Sequence, residues 1–385
     1  MCRGEFFMRI IKRISGFVVI FALITSISSL FVHANDVGIS NISAHSACLI
    51  EAESGRVLYS KHSTKRMPMA STTKVMCAIV ALESGIPLDT EIKVPKEAVG
   101  IEGSSVYLKQ NEVVSFEMLL YALMLSSAND AAVAIACVVG GSVEDFVVLM
   151  NKKANELGLA DTNFTNPHGL YDENHYTTAE NLAKIMAYAM KNQDFAKITS
   201  SKSKTFARED GTSFILSNHN RLLKTYDGVI GGKTGFTKKS GRCLVTCAER
   251  NGLKLIAVTL NAPDDWNDHT QLYEFGFANY ERIYFDTQSI KISVISGTKS
   301  EILAQSDAFS IFLPKQHGEI SVKINAPRFL FADIKQGEKV GEIVYICDGK
   351  VIATSPIYSL SNVAKIKYKF NLFEFLRDLF KGLIN

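Results

Sequence analysis

Ser71 and Lys74 stand three residues apart at the head of an apolar run that covers residues 75–82. A helix beginning at Ser71 places both side chains on one face, so the amine can reach the hydroxyl oxygen. That pairing suggests nucleophilic chemistry, because a serine hydroxyl attacks poorly until a neighbouring base takes its proton. Lysine can be that base only if burial or a second cation pulls its pKa down from about 10.4. Alone the pair means little. The same spacing recurs at Ser201 and Lys204 and at Ser296 and Lys299, and an N-cap serine beside a surface lysine would look identical.

Two further motifs follow in order. Ser127-Ala128-Asn129 is the chain's one Ser-x-Asn, and it interrupts a strongly apolar stretch over residues 116–139, where polar groups are costly. It would also serve as the cap of a second helix. Lys233-Thr234-Gly235 follows glycines and enters an expected strand. There Lys233 could supply the second cation, and Gly235 would let a substrate backbone approach closely. Lys239-Ser240-Gly241 repeats the pattern six residues on and reads as a turn. The three motifs lie 56 and 106 residues apart, and together they carry weight that none has singly.

Other chemistries fare worse. The chain holds no HExxH and no GxSxG. The segment 227–234 resembles a phosphate-binding loop, but Asp227 stands where that loop needs glycine, and its carboxylate would repel phosphate. His168 and His175 share a loop without a suitably spaced carboxylate, so a structural role is expected and no metal. Cys243 and Cys247, four apart on an expected strand, read as small apolar fillers rather than a disulfide.

The elements that must position these residues follow from pattern. Residues 46–60 read as a hairpin, with helices at 71–84, 116–139, 142–157, 178–191 and 268–285. Strands are expected at 242–248 and 253–260 around Asn251-Gly252, a strong hairpin signal. Strand, helices and then strands suggest an antiparallel sheet closed by both ends of a domain, with a helical block beside it. After residue 287 short β-branched runs at 290–295, 309–313, 320–324, 339–346 and 350–353 suggest a small all-β domain. The fold class is therefore α/β of the α+β kind.

The chain's 385 residues, 47% hydrophobic and 21% charged, are ordinary for a folded protein of two domains. A net charge of +3 leaves no electrostatic footprint for nucleic acid. Residues 1–34 read as a signal peptide: Arg9, Lys12 and Arg13, an apolar run, then Val32-His33-Ala34 for cleavage. An uncleaved anchor is the alternative, and either sends the remainder out of the cytoplasm. Residues 372–385 fall into an apolar half with three phenylalanines and a charged half, after the basic lead-in Lys365, Lys367 and Lys369. That suits a helix lying in a membrane interface. The expected division is 1–34 signal, 35–286 catalytic domain, 287–366 β-rich domain and 367–385 anchoring tail. Six cysteines survive signal removal, an unusual load for an exported protein.

With these residues in place, the chain resembles the serine D-alanyl-D-alanine carboxypeptidases, the low-molecular-weight penicillin-binding proteins. The resemblance lies in Ala70-Ser-Thr-Thr-Lys74, Ser126-Ser-Ala-Asn-Asp130, Asn166-Pro-His-Gly-Leu170 and Gly231-Gly-Lys-Thr-Gly-Phe-Thr237, and continues in 334–341 and the tail. It implies that Ser71 attacks the carbonyl between two terminal D-alanines of a peptidoglycan stem while Lys74 accepts its proton. Ser127 and Asn129 would relay protons and hold the amide side of the substrate. Lys233 and Thr234, next to Gly235, would face the terminal carboxylate. Backbone N–H groups of Ser71 and Phe236 would form the oxyanion hole, so the Phe236 side chain should be replaceable. The resemblance implies no cofactor, β-lactams as covalent inhibitors, and roles in peptidoglycan maturation and cell shape.

Three rival readings use the same residues. A β-lactamase would add a glutamate in an ExxLN pattern, and neither Glu173 nor Glu180 stands in one. A DD-endopeptidase would need neither the β-rich domain nor the tail. A silent wall-binding protein would have no need of an intact Ser71, Lys74, Asn129 and Lys233.

Overall fold

The structure, a computed structural model, describes residues 39, 41–207, 213–366 and 376. The expected signal peptide lies outside the described residues, as does the expected tail except for Leu376.

The strands of the first half are Ser46–Glu51 (β1), Val57–Lys61 (β2), Glu91–Lys93 (β3), Val113–Ser115 (β4), Ser203–Ala207 (β5), Ser213–Ser217 (β6), Val229–Thr237 (β7), Gly241–Arg250 (β8) and Leu253–Leu260 (β9). Five of them form one antiparallel sheet in the order β2-β1-β9-β8-β7, so segments from both ends of the domain meet at its centre. β1 is buried along its whole length, which requires cover on both faces. Cys48, Ile50, Val245 and Val258 face the main core. Leu49 and Leu255 face the other way, against Gly276, where a Cβ would come within 2.4 Å of Leu255. The expected hairpin at Asn251-Gly252 is present, with φ of 51° and 76° as a primed two-residue turn requires.

Among the described residues the α-helices of eight residues or more are Lys74–Glu83 (α1), Phe116–Leu125 (α2), Asn129–Gly140 (α3), Val143–Glu156 (α4), Ala179–Ala189 (α5), Gln193–Ser200 (α6) and Asp265–Asn279 (α7). α2 is apolar and buried at every position except Glu117, the signature of a helix enclosed by others. Ser115 starts it by accepting a hydrogen bond from the Met118 N–H at 3.1 Å. The helical stretch expected over 116–139 is two helices, parted where Ser127 takes φ +59°. The helix expected over 268–285 runs instead over 265–279. Residues Tyr280–Phe285 (β10) form a strand paired with Phe309–Pro314 (β13). The reason lies in its composition: four of the six residues are aromatic or β-branched, and Tyr280 meets Phe312 across the pair. The α6 helix and the β5–β6 hairpin had no expected counterpart.

Beyond β10 the regular elements among described residues 286–366 are all strands, including Ser289–Ile295 (β11), Glu301–Ser306 (β12), Ile320–Asn325 (β14), Phe329–Phe331 (β15), Lys339–Cys347 (β16) and Lys350–Ser359 (β17). Six of these form a sheet ordered β14-β16-β17-β12-β11-β15 over a core of Ile292, Ile302, Ile343 and Ile357. β12 and β15 had no expected counterpart. Arg282 of β10 holds this region to the first sheet. Its guanidinium grips the Glu53 carboxylate and donates to Gly252 O at 2.9 Å and Ser310 Oγ at 2.8 Å. Two hairpin turns of the first sheet are thereby tied to the β10–β13 pair.

Candidate active site

Ser71 lies in a single 3-10 turn, Ala70–Thr73, that runs directly into α1. The residue before it, Ala70, takes φ +47°, a conformation that costs a non-glycine residue energy and must be held by its surroundings. Two glycines hold it. Gly169 (φ +90°) lies so close that a Cβ there would come within 1.9 Å of Ala70 O. Gly235 of β7 crosses over the turn, and a Cβ would stand 2.9 Å from Ser71 N. Gly235 thus makes room for the protein's own Ala70–Thr73 turn, a tighter demand than the substrate approach expected from sequence.

A one-way relay of hydrogen bonds ends at the same carbonyl. Thr165 N–H donates to His175 Nδ1 at 3.0 Å, which makes Nε2 the protonated nitrogen. Nε2 then donates to Thr73 Oγ1 at 2.7 Å, and Thr73 donates to Ala70 O at 2.8 Å. Burial drives His175 down to about 4, which keeps the imidazole neutral as the relay requires. His168 is held neutral in the same way, at about 3, and its Nδ1 accepts from Leu170 N–H at 3.2 Å. Both histidines brace the loop.

Lys74 is fully buried at the start of α1. Its Nζ lies 3.0 Å from Ser71 Oγ, 2.7 Å from Asn129 Oδ1 and 2.6 Å from His168 O. Burial first and the Lys233 charge second push its pKa well below the ordinary lysine value. A neutral amine has two N–H groups and one lone pair. Two of the three neighbours, Asn129 Oδ1 and the His168 carbonyl, can only accept. They claim both hydrogens and leave the lone pair facing the serine hydroxyl.

Asn129 is itself clamped, with Nδ2 donating to Glu102 O at 2.5 Å and its backbone N–H to Ser104 O at 2.7 Å. The next residue, Asp130, fastens the same loop. Its carboxylate accepts from Ser105 Oγ at 2.6 Å, Val106 N at 3.1 Å and Leu108 N at 3.0 Å.

Lys233 is also buried, and desolvation lowers it to about 7. Its Nζ donates to Thr234 O at 2.8 Å. Ser71, Ser127, Thr234, Gly235 and Phe236 line one open cleft of about 330 Å³. All eight residues singled out in the sequence therefore converge, six around the Ala70–Thr73 turn and its cleft directly, Asn129 and Lys233 through Lys74 and Thr234. Phe236 is 66% exposed at the rim.

The D-alanyl-D-alanine carboxypeptidase family profile matches residues 32–264, and that of the C-terminal domain of penicillin-binding protein 5 matches residues 280–365. The chain belongs to the D-alanyl-D-alanine carboxypeptidase family. It is 35% identical to D-alanyl-D-alanine carboxypeptidase DacF of Bacillus subtilis, over 84% of this chain and 86% of that one. It is 32% identical to D-alanyl-D-alanine carboxypeptidase DacC of Escherichia coli, over 84% and 85%. Penicillin binding protein 5 from Haemophilus influenzae superimposes with a TM-score of 0.72 at 30% identity, covering 86% of this chain and all of that one. The α/β fold with an all-β C-terminal domain is thus that of the carboxypeptidase family.

Within this carboxypeptidase framework the cleft has a wall that the sequence reading missed. Arg242 of β8, beside Phe236 across the strand pair, lines it with His219, Asp265 and Trp266. Arg242 Nη2 and Nε both donate to Asp265 Oδ1, at 2.6 and 3.0 Å, and its guanidinium lies 5.6 Å from the Trp266 ring centre. Arg242 is 42% exposed and Asp265 only 3%, so one face of the cation is open to the cleft. The turn decoy at 239–241 does join β7 to β8. It carries Arg242 to the cleft, a signal legible only once the hairpin is known. Cys243 and Cys247 are buried free thiols, as the filler reading expects.

Proposed function

We propose that the protein is a serine D-alanyl-D-alanine carboxypeptidase that removes the terminal D-alanine from peptidoglycan stem peptides. The observation that carries this reading is the Lys74 amine, whose hydrogens are committed elsewhere and whose lone pair faces Ser71.

Lys74 takes the Ser71 proton as Oγ attacks the carbonyl between the two D-alanines. The oxyanion is received by the backbone N–H groups of Ser71 and Phe236, donors worth about 3 kcal/mol each in such sites. Ser127 protonates the departing D-alanine amine and is reprotonated by Lys74, which returns the lysine to its neutral form, while Asn129 holds Lys74. Water then attacks the acyl-enzyme, with Lys74 again as base. Lys233, through Thr234, and the open face of Arg242 provide positive charge where the leaving carboxylate lies. The strained turn at Ala70 and the two glycines packed on it keep Oγ in its attacking position without further ordering. A β-lactam would acylate Ser71 by the same attack.

The chain would divide into a signal over 1–34, a catalytic domain over 35–286, a β-rich domain over 287–366 and an interfacial anchor over 367–385. The exported protein would work at the extracytoplasmic face of the cell membrane, in the periplasm or cell-wall space, with roles in wall maturation and cell shape. A diacyl-Lys-D-Ala-D-Ala peptide should release D-alanine with the wild type and not with Ser71→Ala, whose melting temperature should stay nearly unchanged. Turnover by the variant would remove Ser71 from its role. Release by neither would favour an endopeptidase or a silent binder, with a crosslinked muropeptide as the next substrate.

A further inference from the structure

Both edges of the β-rich sheet expose apolar side chains, aliphatic Val322 and Ile324 on β14 and aromatic Phe329 and Phe331 on β15. β15 runs parallel to β11 in a register that sets Phe329 beside Ser293 and Phe331 beside Ile295. Ile292 and Val294 point into the core, so their neighbours Ser293 and Ile295 point outward with the two phenylalanines. Phe331 is 66% exposed, Phe329 48% and Ile295 39%, and the two rings contact only edge to face, 5.6 Å apart. Clustered exposed aromatics mark a contact surface.

What lies beside the patch indicates its occupant. The chain leaves the described structure here: Ile366 N–H donates to Ser296 O at 2.9 Å, one residue past Ile295, and Lys365 bridges to Gly297. Arg328, Lys299 and Lys365 surround the patch, and none of them has an ion pair among the described residues. The nearby carboxylates are already engaged, Glu301 with Lys291 and Asp333 with the Lys365 backbone N–H. Apolar rings ringed by unpaired cations suit a plane of anionic lipid headgroups. A second copy of the same face would bring those like charges together, which opposes association.

We propose that this face, centred on Phe329 and Phe331, docks on an anionic lipid surface next to the point where the tail departs. The proposal rests on the interfacial reading of residues 367–385 given above, and it assigns the β-rich domain a membrane contact of its own. Two contacts in one molecule bind in sequence, the second at the high effective concentration set by the first.

The test uses the full mature chain and co-sedimentation with vesicles of phosphatidylethanolamine and phosphatidylglycerol, beside vesicles of phosphatidylcholine alone. Phe329→Ser/Phe331→Ser should weaken binding to the anionic vesicles about tenfold while D-alanine release and melting temperature stay unchanged. In parallel, Phe331→Trp should give a second emission, besides that of Trp266, quenched by brominated lipid. Binding within twofold of wild type and an unquenched Phe331→Trp would overturn the proposal, as would absence of binding by the wild type. A lower melting temperature with stronger vesicle binding would mean that the tail helix itself covers the patch. A concentration-dependent dimer lost in the variant would mean a second copy. Either result overturns the lipid assignment. A tail variant, Phe373→Asp/Phe380→Asp, separates the two readings. If it alone abolishes binding, the tail reading stands and the patch falls; if only the phenylalanine pair matters, the reverse holds. D-alanine release in the same samples reports independently on the Ser71 reading.

Discussion

The cleft and the outer end of the β-rich sheet depart from ordinary burial in opposite directions. Around Ser71 the protein buries two lysines, an asparagine and an aspartate. At β15 it exposes two phenylalanines. Buried polar groups are tolerable only when hydrogen-bonded, and Lys74, Asn129, Asp130 and Lys233 each make such bonds. Exposed aromatics impose no such demand and leave the fold largely indifferent to their identity. The cleft is thus over-determined, and changes there should be costly. The β15 face is under-determined, and changes there should touch binding and little else.

The sharpest way to break that contrast is Lys74→Ala, expected to lower D-alanine release by about 10³-fold or more and to leave Ser71 unacylated by penicillin. Normal acylation would show that another group takes the proton. Next comes Gly169→Ala, which meets Ala70 O head-on in a left-handed conformation. It should destabilise by about 2–4 kcal/mol and cut kcat by about 10²-fold, although residue 169 touches no substrate. Denaturant titration with kinetics checks both, and a neutral result would mean that the nucleophile turn is not held from that side.

Lys233 gives a pH-dependent case. Its folded value near 7 lies below the unfolded value of about 10.4. Between these the unfolded chain binds the additional proton, so stability rises as pH increases through that window. The rise should be shallower in Lys233→Met, by up to about 1.4 kcal/mol per pH unit. kcat/KM, which reports the free enzyme, should decline above pH about 7 as the cation near the carboxylate is lost. Parallel stability curves for the two proteins would mean that Lys233 is not desolvated. Smallest of all should be Phe236→Ala, with kcat/KM within about threefold, since only its backbone is invoked. A loss of 10²-fold would show that the exposed ring holds substrate.

Sequence showed much of the cleft because its residues come as three short, ordered motifs with unusual polarity. Ser127-Ala128-Asn129 was visible as a polar break in an apolar stretch, and that break is where α2 gives way to α3. The hairpin at Asn251-Gly252 was visible because two positive-φ residues demand those types. What stayed hidden depends on tertiary placement. Arg242 is an ordinary strand arginine until β7 and β8 pair and α7 brings Asp265 and Trp266 to it. The carbonyls of His168 and Glu102 hold Lys74 and Asn129 through main-chain atoms, which leave no trace in residue type. The overrun of the helix expected over 268–285 has a similar cause: Tyr280–Phe285 becomes strand by pairing with residues some 30 positions ahead, Phe309–Pro314.

Arg282 also fixes a length. By clasping Glu53 and Gly252, at the turns of two hairpins of the first sheet, while holding Ser310 across the β10–β13 pair, it prevents those turns from swinging against the strands that follow. Were the β-rich end to rest on a bilayer, the cleft would stand off at a set height, as on a rigid post. The enzyme would then trim stems within one stratum of the wall, its choice of target made by altitude as well as by chemistry.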